Sequence, residues 1–102
     1  MDVTLLYFEG CPNWKTTQTR LEQAMRALGV APEALRLRRV ETPAGAEELA
    51  FHGSPTVLVD GSDPFAEPGG AVGLACRVYP TEGGLAGSPT QRQLTEVLRE
   101  LL

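Results

Sequence analysis

Two cysteines are the residues of this chain best suited to chemistry, and they lie far apart in the sequence. Cys11 stands in the segment Phe8–Trp14, where an apolar strand is predicted to give way to a helix. Unpaired backbone N–H groups and the positive end of the helix dipole favour an anion there, so they lower the pKa of a thiol. Pro12 suits the first helical turn, because its missing N–H would have no partner there. We therefore expect Cys11 to be a catalytic nucleophile, the alternative being a small apolar residue that fills a corner between strand and helix.

Cys76 lies in a second apolar segment, Leu74–Tyr79, which reads as a strand. If this segment forms a simple hairpin with the strand Thr56–Val59, Cys76 stops about 10 Å short of the end of the sheet that carries Cys11. A disulfide requires Cα atoms within about 7 Å of each other. We therefore expect Cys76 to be a buried structural residue rather than a second thiol, although the long segment Asp60–Gly73 leaves the register open.

Three titratable side chains flank the predicted position of Cys11. His52 assists proton transfer in one interpretation, and in the preferred one it is an exposed histidine at a helix end. Glu9 would oppose ionisation of Cys11 by like charge, whereas Lys15 would favour it. Two distant cysteines and one histidine do not form a closed four-ligand zinc site. The sequence therefore predicts no metal site and no cofactor.

The composition predicts one globular domain over residues 1–102, because 42% of the residues are hydrophobic. The formal net charge of −4 argues against a nucleic-acid partner, since binding to phosphates requires an excess of positive charge. The N-terminal residues reach Glu9 and Gly10 before any long apolar stretch develops, so neither a signal peptide nor a membrane span is predicted. We expect a cytoplasmic protein without a membrane partner, and the composition carries no information on oligomeric state.

The hydrophobic pattern predicts the order strand, helix, strand, helix, strand, strand, helix. The predicted strands are Val3–Phe8, Leu35–Val40, Thr56–Val59 and Leu74–Tyr79. The predicted helices run from Trp14 to Leu28, from an N-cap at Thr42 to Gly53, and from a capping box at Ser88–Gln91 through Leu101. Arginines in the second strand mark it as a solvated edge. Asp60–Gly61 is a turn that opens the irregular segment Asp60–Gly73, and Gly83–Gly87 is a loop.

A second short motif is Gly53-Ser54-Pro55-Thr56, in which a proline immediately precedes an apolar strand. An X-Pro bond is the only peptide bond that readily adopts cis, while a trans proline at a strand start is the alternative. Taken together, the Cys-Pro turn after the first strand and the proline before the third resemble the thioredoxin-like superfamily. More closely, the chain is similar to small bacterial thioredoxin-like proteins, some of them described as alkylmercury lyase-like.

This resemblance implies a three-layer α/β/α fold with a mixed four-stranded sheet in the order β-α-β-α-β-β-α. It also implies that the Ser54–Pro55 bond is cis and that Ser54, Pro55 and Thr56 lie beside Cys11. Those three residues, together with Pro12 and Trp14, are the substrate-binding residues that the resemblance implies.

The chain departs from the superfamily at Trp14, where members with two active-site thiols carry a second cysteine. Our first hypothesis is therefore a monothiol-type redox protein that acts through Cys11 on a thiol or disulfide substrate, either a small molecule or a protein. A second hypothesis is binding of a soft metal or an organomercurial by Cys11 and Cys76. A third is a binding module that keeps the fold without the chemistry.

Overall fold

A mixed three-stranded sheet forms the centre of the computed structural model, which describes residues 1–66 and 70–102. Its strands are β1 (Val3–Tyr7), β2 (Arg36–Arg39) and β3 (Thr56–Val59), in the spatial order β2-β1-β3. β1 pairs in parallel with β2 and antiparallel with β3. The parallel pair follows from the helical crossover that joins its strands, as the sequence predicted.

Helices cover both faces of this sheet because successive side chains of β1 point to opposite sides. Val3 and Leu5 project into the larger cluster, which α1 (Asn13–Ala27) and α3 (Gln91–Leu101) complete. Leu6 projects to the other face, where α2 (Pro43–Glu48) contributes Ala46. A short 3-10 turn, Pro32–Ala34, leads into β2. In the part of the chain that the structure describes, no helix has both the length and the apolar character needed to cross a lipid bilayer.

The predicted thioredoxin-like four-stranded sheet is wrong. The segment Leu74–Tyr79 does not form a strand beside β3, and only Tyr79 belongs to one. β4 (Tyr79–Thr81) pairs instead with β5 (Gly84–Ala86) in a separate two-stranded hairpin, so the predicted loop Gly83–Gly87 contains a strand. A central strand of a sheet buries apolar side chains against a helix. Ala75, Cys76 and Val78 are all exposed, so Leu74–Tyr79 presents no apolar face that would hold it in the sheet beside β3.

Local signals in the sequence placed several helix and turn boundaries correctly. The Thr42 hydroxyl caps α2 by accepting a hydrogen bond from the Gly45 N–H at 3.0 Å, as predicted, although α2 ends at Glu48 rather than Gly53. Asp60 and Gly61 have φ angles of 51° and 83°, which make the tight turn that follows β3. Residues 67–69 of the predicted irregular segment Asp60–Gly73 lie outside the described residues.

The start of α3 differs from the prediction by two residues. Its N-cap is Thr90, which forms a reciprocal capping box with Gln93, so Ser88 lies outside the helix. Ser88 instead accepts a hydrogen bond from the Thr17 hydroxyl of α1 at 2.7 Å. Arg20 of α1 donates to the carbonyl oxygen of Pro89 at 2.9 Å. These two contacts hold Ser88 and Pro89 against α1, which explains why α3 begins two residues later than predicted.

The arginine-rich strand β2 forms the edge of the sheet that the sequence predicted. All four of its residues are exposed. Arg39 forms ion pairs with Glu9, at 3.4 Å, and with Glu41. These contacts raise the pKa of Arg39, mainly through its hydrogen bond to Glu41. The edge therefore presents charge to solvent, which discourages pairing with another strand.

Candidate functional site

Cys11 and Cys76 form a disulfide, with Cα atoms 5.7 Å apart. The prediction that Cys76 stops short of Cys11 in a buried position is therefore wrong, because it assumed a hairpin between β3 and Leu74–Tyr79 that does not form. The two cysteines differ in environment. Cys11 is only 2% exposed, whereas Cys76 is exposed. An incoming group therefore meets the disulfide from the Cys76 side.

Backbone hydrogen bonds to Ser54 hold Cys76 in this position. The Ser54 N–H donates to the carbonyl oxygen of Ala75 at 2.8 Å, and the Arg77 N–H donates to the carbonyl oxygen of Ser54 at 3.0 Å. Ser54 and Cys76 are thus partners in a parallel β-bridge. Gly53 permits this close approach, because a Cβ at that residue would lie 3.0 Å from the Ala75 carbonyl oxygen. Its φ of +110° is also a conformation that favours glycine.

Ser54, Pro55 and Thr56 are buried directly beneath this segment. The Ser54–Pro55 peptide bond is cis, as the resemblance implied. The Thr56 hydroxyl donates to the carbonyl oxygen of Gly53 at 2.6 Å, and the Pro55 carbonyl oxygen accepts from the hydroxyl of Tyr79. Cys76 therefore links Ser54 to Cys11, because it pairs with Ser54 through backbone hydrogen bonds and with Cys11 through its sulfur.

The start of α1 carries Cys11 at its positive end. Pro12 occupies the N-cap position and is exposed, and the first turn has neither a side-chain cap nor an acidic residue. The Lys15 N–H donates to the carbonyl oxygen of Pro12 at 3.2 Å, and the positive end of the helix dipole favours a neighbouring anion. Cys11 itself is tied back by its N–H, which donates to the carbonyl oxygen of Phe8 at 3.0 Å.

The side chains beside Cys11 have partners of their own. Trp14 stacks on Tyr7 of β1 with ring centroids 4.2 Å apart, so it packs against the sheet at the start of the helix. The Lys15 ammonium lies 5.7 Å from the centroid of the Trp14 ring. Glu9 pairs with Arg39. Glu9 and Lys15 therefore each contact a side chain other than Cys11.

A nearly buried ion pair next to Cys76 escaped the sequence reasoning. Arg77 Nη1 donates to Asp63 Oδ2 at 2.7 Å, with the two side chains 10% and 9% exposed. Arg77 also donates to the carbonyl oxygen of Phe65 at 2.9 Å and to the Thr56 hydroxyl at 3.2 Å. Its guanidinium lies over the Tyr79 ring, 4.6 Å from the centroid. The sequence feature that could have indicated this ion pair is the single arginine, Arg77, inside the otherwise apolar run Leu74–Tyr79.

A cleft of about 540 Å³ opens beside the disulfide, and Cys76 forms part of its wall. Apolar side chains line much of it, including Phe65, Val72 and Val78. His52 is half-buried at this cleft, where its Nδ1–H donates to the carbonyl oxygen of Ala71 at 3.1 Å. It does not lie at a helix end, because α2 stops at Glu48, so the preferred interpretation of His52 is wrong.

Comparisons of this chain with protein-family models, with curated proteins and with solved structures found no match. Among residues 1–66 and 70–102, no three or more histidine, cysteine, aspartate or glutamate side chains gather to hold a metal ion.

Breaking the ion pair next to Cys76 is expected to destabilise the fold. In Asp63→Asn the Arg77 guanidinium stays buried without its counter-charge, so the free energy of unfolding should fall by about 3–5 kcal/mol. The matched control is Glu82→Gln, which removes the exposed partner of Arg92 and should cost less than about 1 kcal/mol. Urea unfolding monitored by circular dichroism measures both, and equal losses would contradict the structural importance of the buried pair.

Tyr79 is expected to make stability depend on pH in alkaline solution. Burial raises the pKa of the Tyr79 hydroxyl well above its usual value, with the nearby Arg77 charge opposing this shift and Asp63 adding to it. The unfolded chain ionises Tyr79 near pH 10, whereas the folded chain keeps the proton. Above that pH the free energy of unfolding should therefore fall by up to about 1.4 kcal/mol per pH unit.

Tyr79→Phe should remove this alkaline slope, although it also costs the hydrogen bond to Pro55, about 1 kcal/mol at neutral pH. Tyr7→Phe is the control and should keep the slope, since Tyr79 remains. The measurement is urea unfolding between about pH 9 and pH 11.5. The account of Tyr79 fails if its phenylalanine variant shows the same slope as the unsubstituted chain.

Proposed function

We propose that this chain is a thiol–disulfide redox protein whose redox couple is Cys11 and Cys76. The observation that supports this most strongly is the disulfide between Cys11, which is buried at the positive end of α1, and Cys76, which is exposed and lines a cleft. The second thiol does not come from the helical turn that holds Trp14. It comes from 65 residues further along the chain. The couple thus replaces the monothiol chemistry of our first hypothesis.

The first step of the exchange is attack by a substrate thiolate on Cys76 Sγ. A bond forms between the substrate sulfur and Cys76, the bond to Cys11 breaks, and Cys11 takes the electron pair as a thiolate. Attack at Cys76 is favoured because its sulfur is on the exposed side. A leaving thiolate with a lowered pKa also departs faster. Cys11 meets this requirement, because the N-terminal turn of α1 stabilises negative charge next to it.

The second step returns the protein as a dithiol. A second substrate thiolate attacks the substrate sulfur of the mixed disulfide and releases Cys76 as a thiolate. Two substrate thiols are thereby oxidised to one disulfide, and the Cys11–Cys76 disulfide gains two electrons and two protons. In the reverse direction the dithiol reduces a substrate disulfide by the same two steps.

The contacts around Cys76 support repeated cycling. Its neighbours are held by the two backbone hydrogen bonds to Ser54 and by the Arg77–Asp63 ion pair, none of which involves sulfur. Cys76 therefore stays close to Cys11 after reduction. This keeps the effective concentration of one thiol at the other high, so the disulfide closes again readily.

The substrate we propose is a thiol or a disulfide, small or part of a protein, that reaches Cys76 through the cleft. The compartment we propose is the cytoplasm, where glutathione and thioredoxin supply reducing equivalents for the dithiol form. We also propose a distant relation to the thioredoxin-like superfamily, supported by a cysteine at the first strand-to-helix turn opposite the Ser54–Pro55 loop. That relation does not extend to a four-stranded sheet.

Reaction with glutathione disulfide distinguishes a cysteine couple from a monothiol protein. The reduced chain should pass through a brief mixed disulfide and end as the Cys11–Cys76 disulfide, with Cys11 displacing glutathione. Cys11→Ala should stop at a stable adduct of one glutathione on Cys76. Cys76→Ala should react at least about tenfold more slowly, because Cys11 is buried. Intact-mass spectrometry after acid quenching follows all three, and a lasting glutathione adduct on the unsubstituted chain would contradict the couple.

Soft-metal binding is a second candidate, favoured by the adjacency of the same two sulfurs. A pair of thiolates is a ligand set that soft metal ions select. The reduced chain should then hold one mercury(II) ion in a bridged adduct that survives competition by a simple thiol. Cys76→Ala should lose that adduct, which native mass spectrometry detects. An equally resistant adduct in Cys76→Ala would exclude the pair as the site.

A further inference from the structure

Ser54 is buried completely, and its hydroxyl has no hydrogen-bond partner among the described residues. Among the described residues three other serine and threonine side chains are buried, and each of them forms a hydrogen bond: Thr17, Thr56 and Ser88. A buried hydroxyl without a partner destabilises the state in which it occurs. In the disulfide form the Ser54 hydroxyl is therefore a hydrogen-bond donor without an acceptor. The reduced form of the protein can supply that acceptor.

The β-bridge between Ser54 and Cys76 places this hydroxyl on the same side as the disulfide. Residues paired across a bridge project their side chains to the same face. The side chain of Cys76 ends in the sulfur bonded to Cys11. A sulfur without charge is a weak acceptor, whereas a charged acceptor forms a much stronger hydrogen bond. Reduction creates such an acceptor next to Ser54.

We propose that the Ser54 hydroxyl donates a hydrogen bond to the thiolate of Cys11 in the reduced protein and thereby stabilises it. Cys76 is exposed, so water can solvate its thiolate, but Cys11 is buried and needs a donor from the protein. The hydroxyl keeps its proton throughout, so Ser54 acts as a positioning residue for the Cys11 leaving group. This inference deepens the proposed function, although its primary test does not depend on exchange with a substrate.

Other charged and titratable side chains on the segments around the disulfide are occupied elsewhere. Glu9 pairs with Arg39, Lys15 lies over Trp14, His52 donates to Ala71, and Arg77 pairs with Asp63. The remaining stabilisation of a Cys11 thiolate comes from the N-terminal turn of α1, which no Ser54 variant alters. A change in the ionisation of Cys11 on replacing Ser54 is therefore assignable to the hydroxyl.

The primary test reads the ionisation of Cys11 alone, in the Cys76→Ala background. Thiolate absorbance near 240 nm, or the pH dependence of alkylation by iodoacetamide, gives the pKa of Cys11. Adding Ser54→Ala should raise that pKa by about one unit, a tenfold loss in the ionisation constant. Ser54→Thr keeps a hydroxyl and should keep the lower pKa. The proposal is overturned if Ser54→Ala leaves the pKa of Cys11 unchanged, or if alanine and threonine shift it equally.

A second readout separates this role from a purely structural one. In the oxidised protein Ser54→Ala removes an unsatisfied donor, so its melting temperature should stay the same or rise. In the reduced protein the same variant loses a hydrogen bond. The dithiol–disulfide equilibrium with glutathione, measured where Cys11 is ionised, should move about tenfold toward the disulfide, which is about 30 mV. A loss of stability in the oxidised form as large as that in the reduced form would overturn the proposal.

The two proposals fail in different ways. If the chain exchanges with no substrate thiol but Ser54→Ala still raises the pKa of Cys11, the proposed function falls and the role of Ser54 stands. If exchange proceeds normally and the pKa does not respond to Ser54→Ala, the function stands and the role of Ser54 falls.

Discussion

The attachment of Ala75–Arg77 to Ser54 is the constraint on which the site depends. Two backbone hydrogen bonds hold this segment against Ser54 in the loop before β3. This attachment places Cys76 within bonding distance of Cys11. Gly53 leaves the space for this approach, and the Arg77–Asp63 pair anchors the segment from its other end. None of these contacts involves sulfur, so each of them can form whether the disulfide is closed or open.

The two cysteines of the disulfide differ in exposure, so their sulfurs are not equivalent targets for an attacking thiolate. Cys76 is exposed and lines the cleft, whereas Cys11 is buried at the start of α1. In the proposed exchange an attacking thiolate reaches Cys76, while the charge of the leaving group develops on Cys11, where backbone dipoles and, in our proposal, the Ser54 hydroxyl stabilise it. A disulfide that only cross-links two surface loops requires neither this difference in exposure nor an unpaired hydroxyl such as that of Ser54 nearby.

Much of the fold was predictable because it rests on local chemistry. The Thr42 cap, the Asp60–Gly61 turn, the charged edge strand and the strand-to-helix turn at Cys11 each depend on a few neighbouring residues. The prediction failed where distant contacts override a local pattern. Leu74–Tyr79 has the composition of a strand, yet Arg77 bonds to Asp63 and Phe65, and Ala75, Cys76 and Val78 stay exposed. The predicted separation of Cys11 and Cys76 was wrong for the same reason, since it rested on a hairpin that these contacts replace.

The reduction potential of the Cys11–Cys76 couple tests the central claim most directly. It is measured by equilibrating the chain in glutathione buffers of defined ratio, alkylating the free thiols and counting them by mass. A couple that exchanges with substrates should have a potential between about −270 and −120 mV, the range of thiol–disulfide oxidoreductases. A potential below about −300 mV, typical of structural disulfides, would contradict the claim.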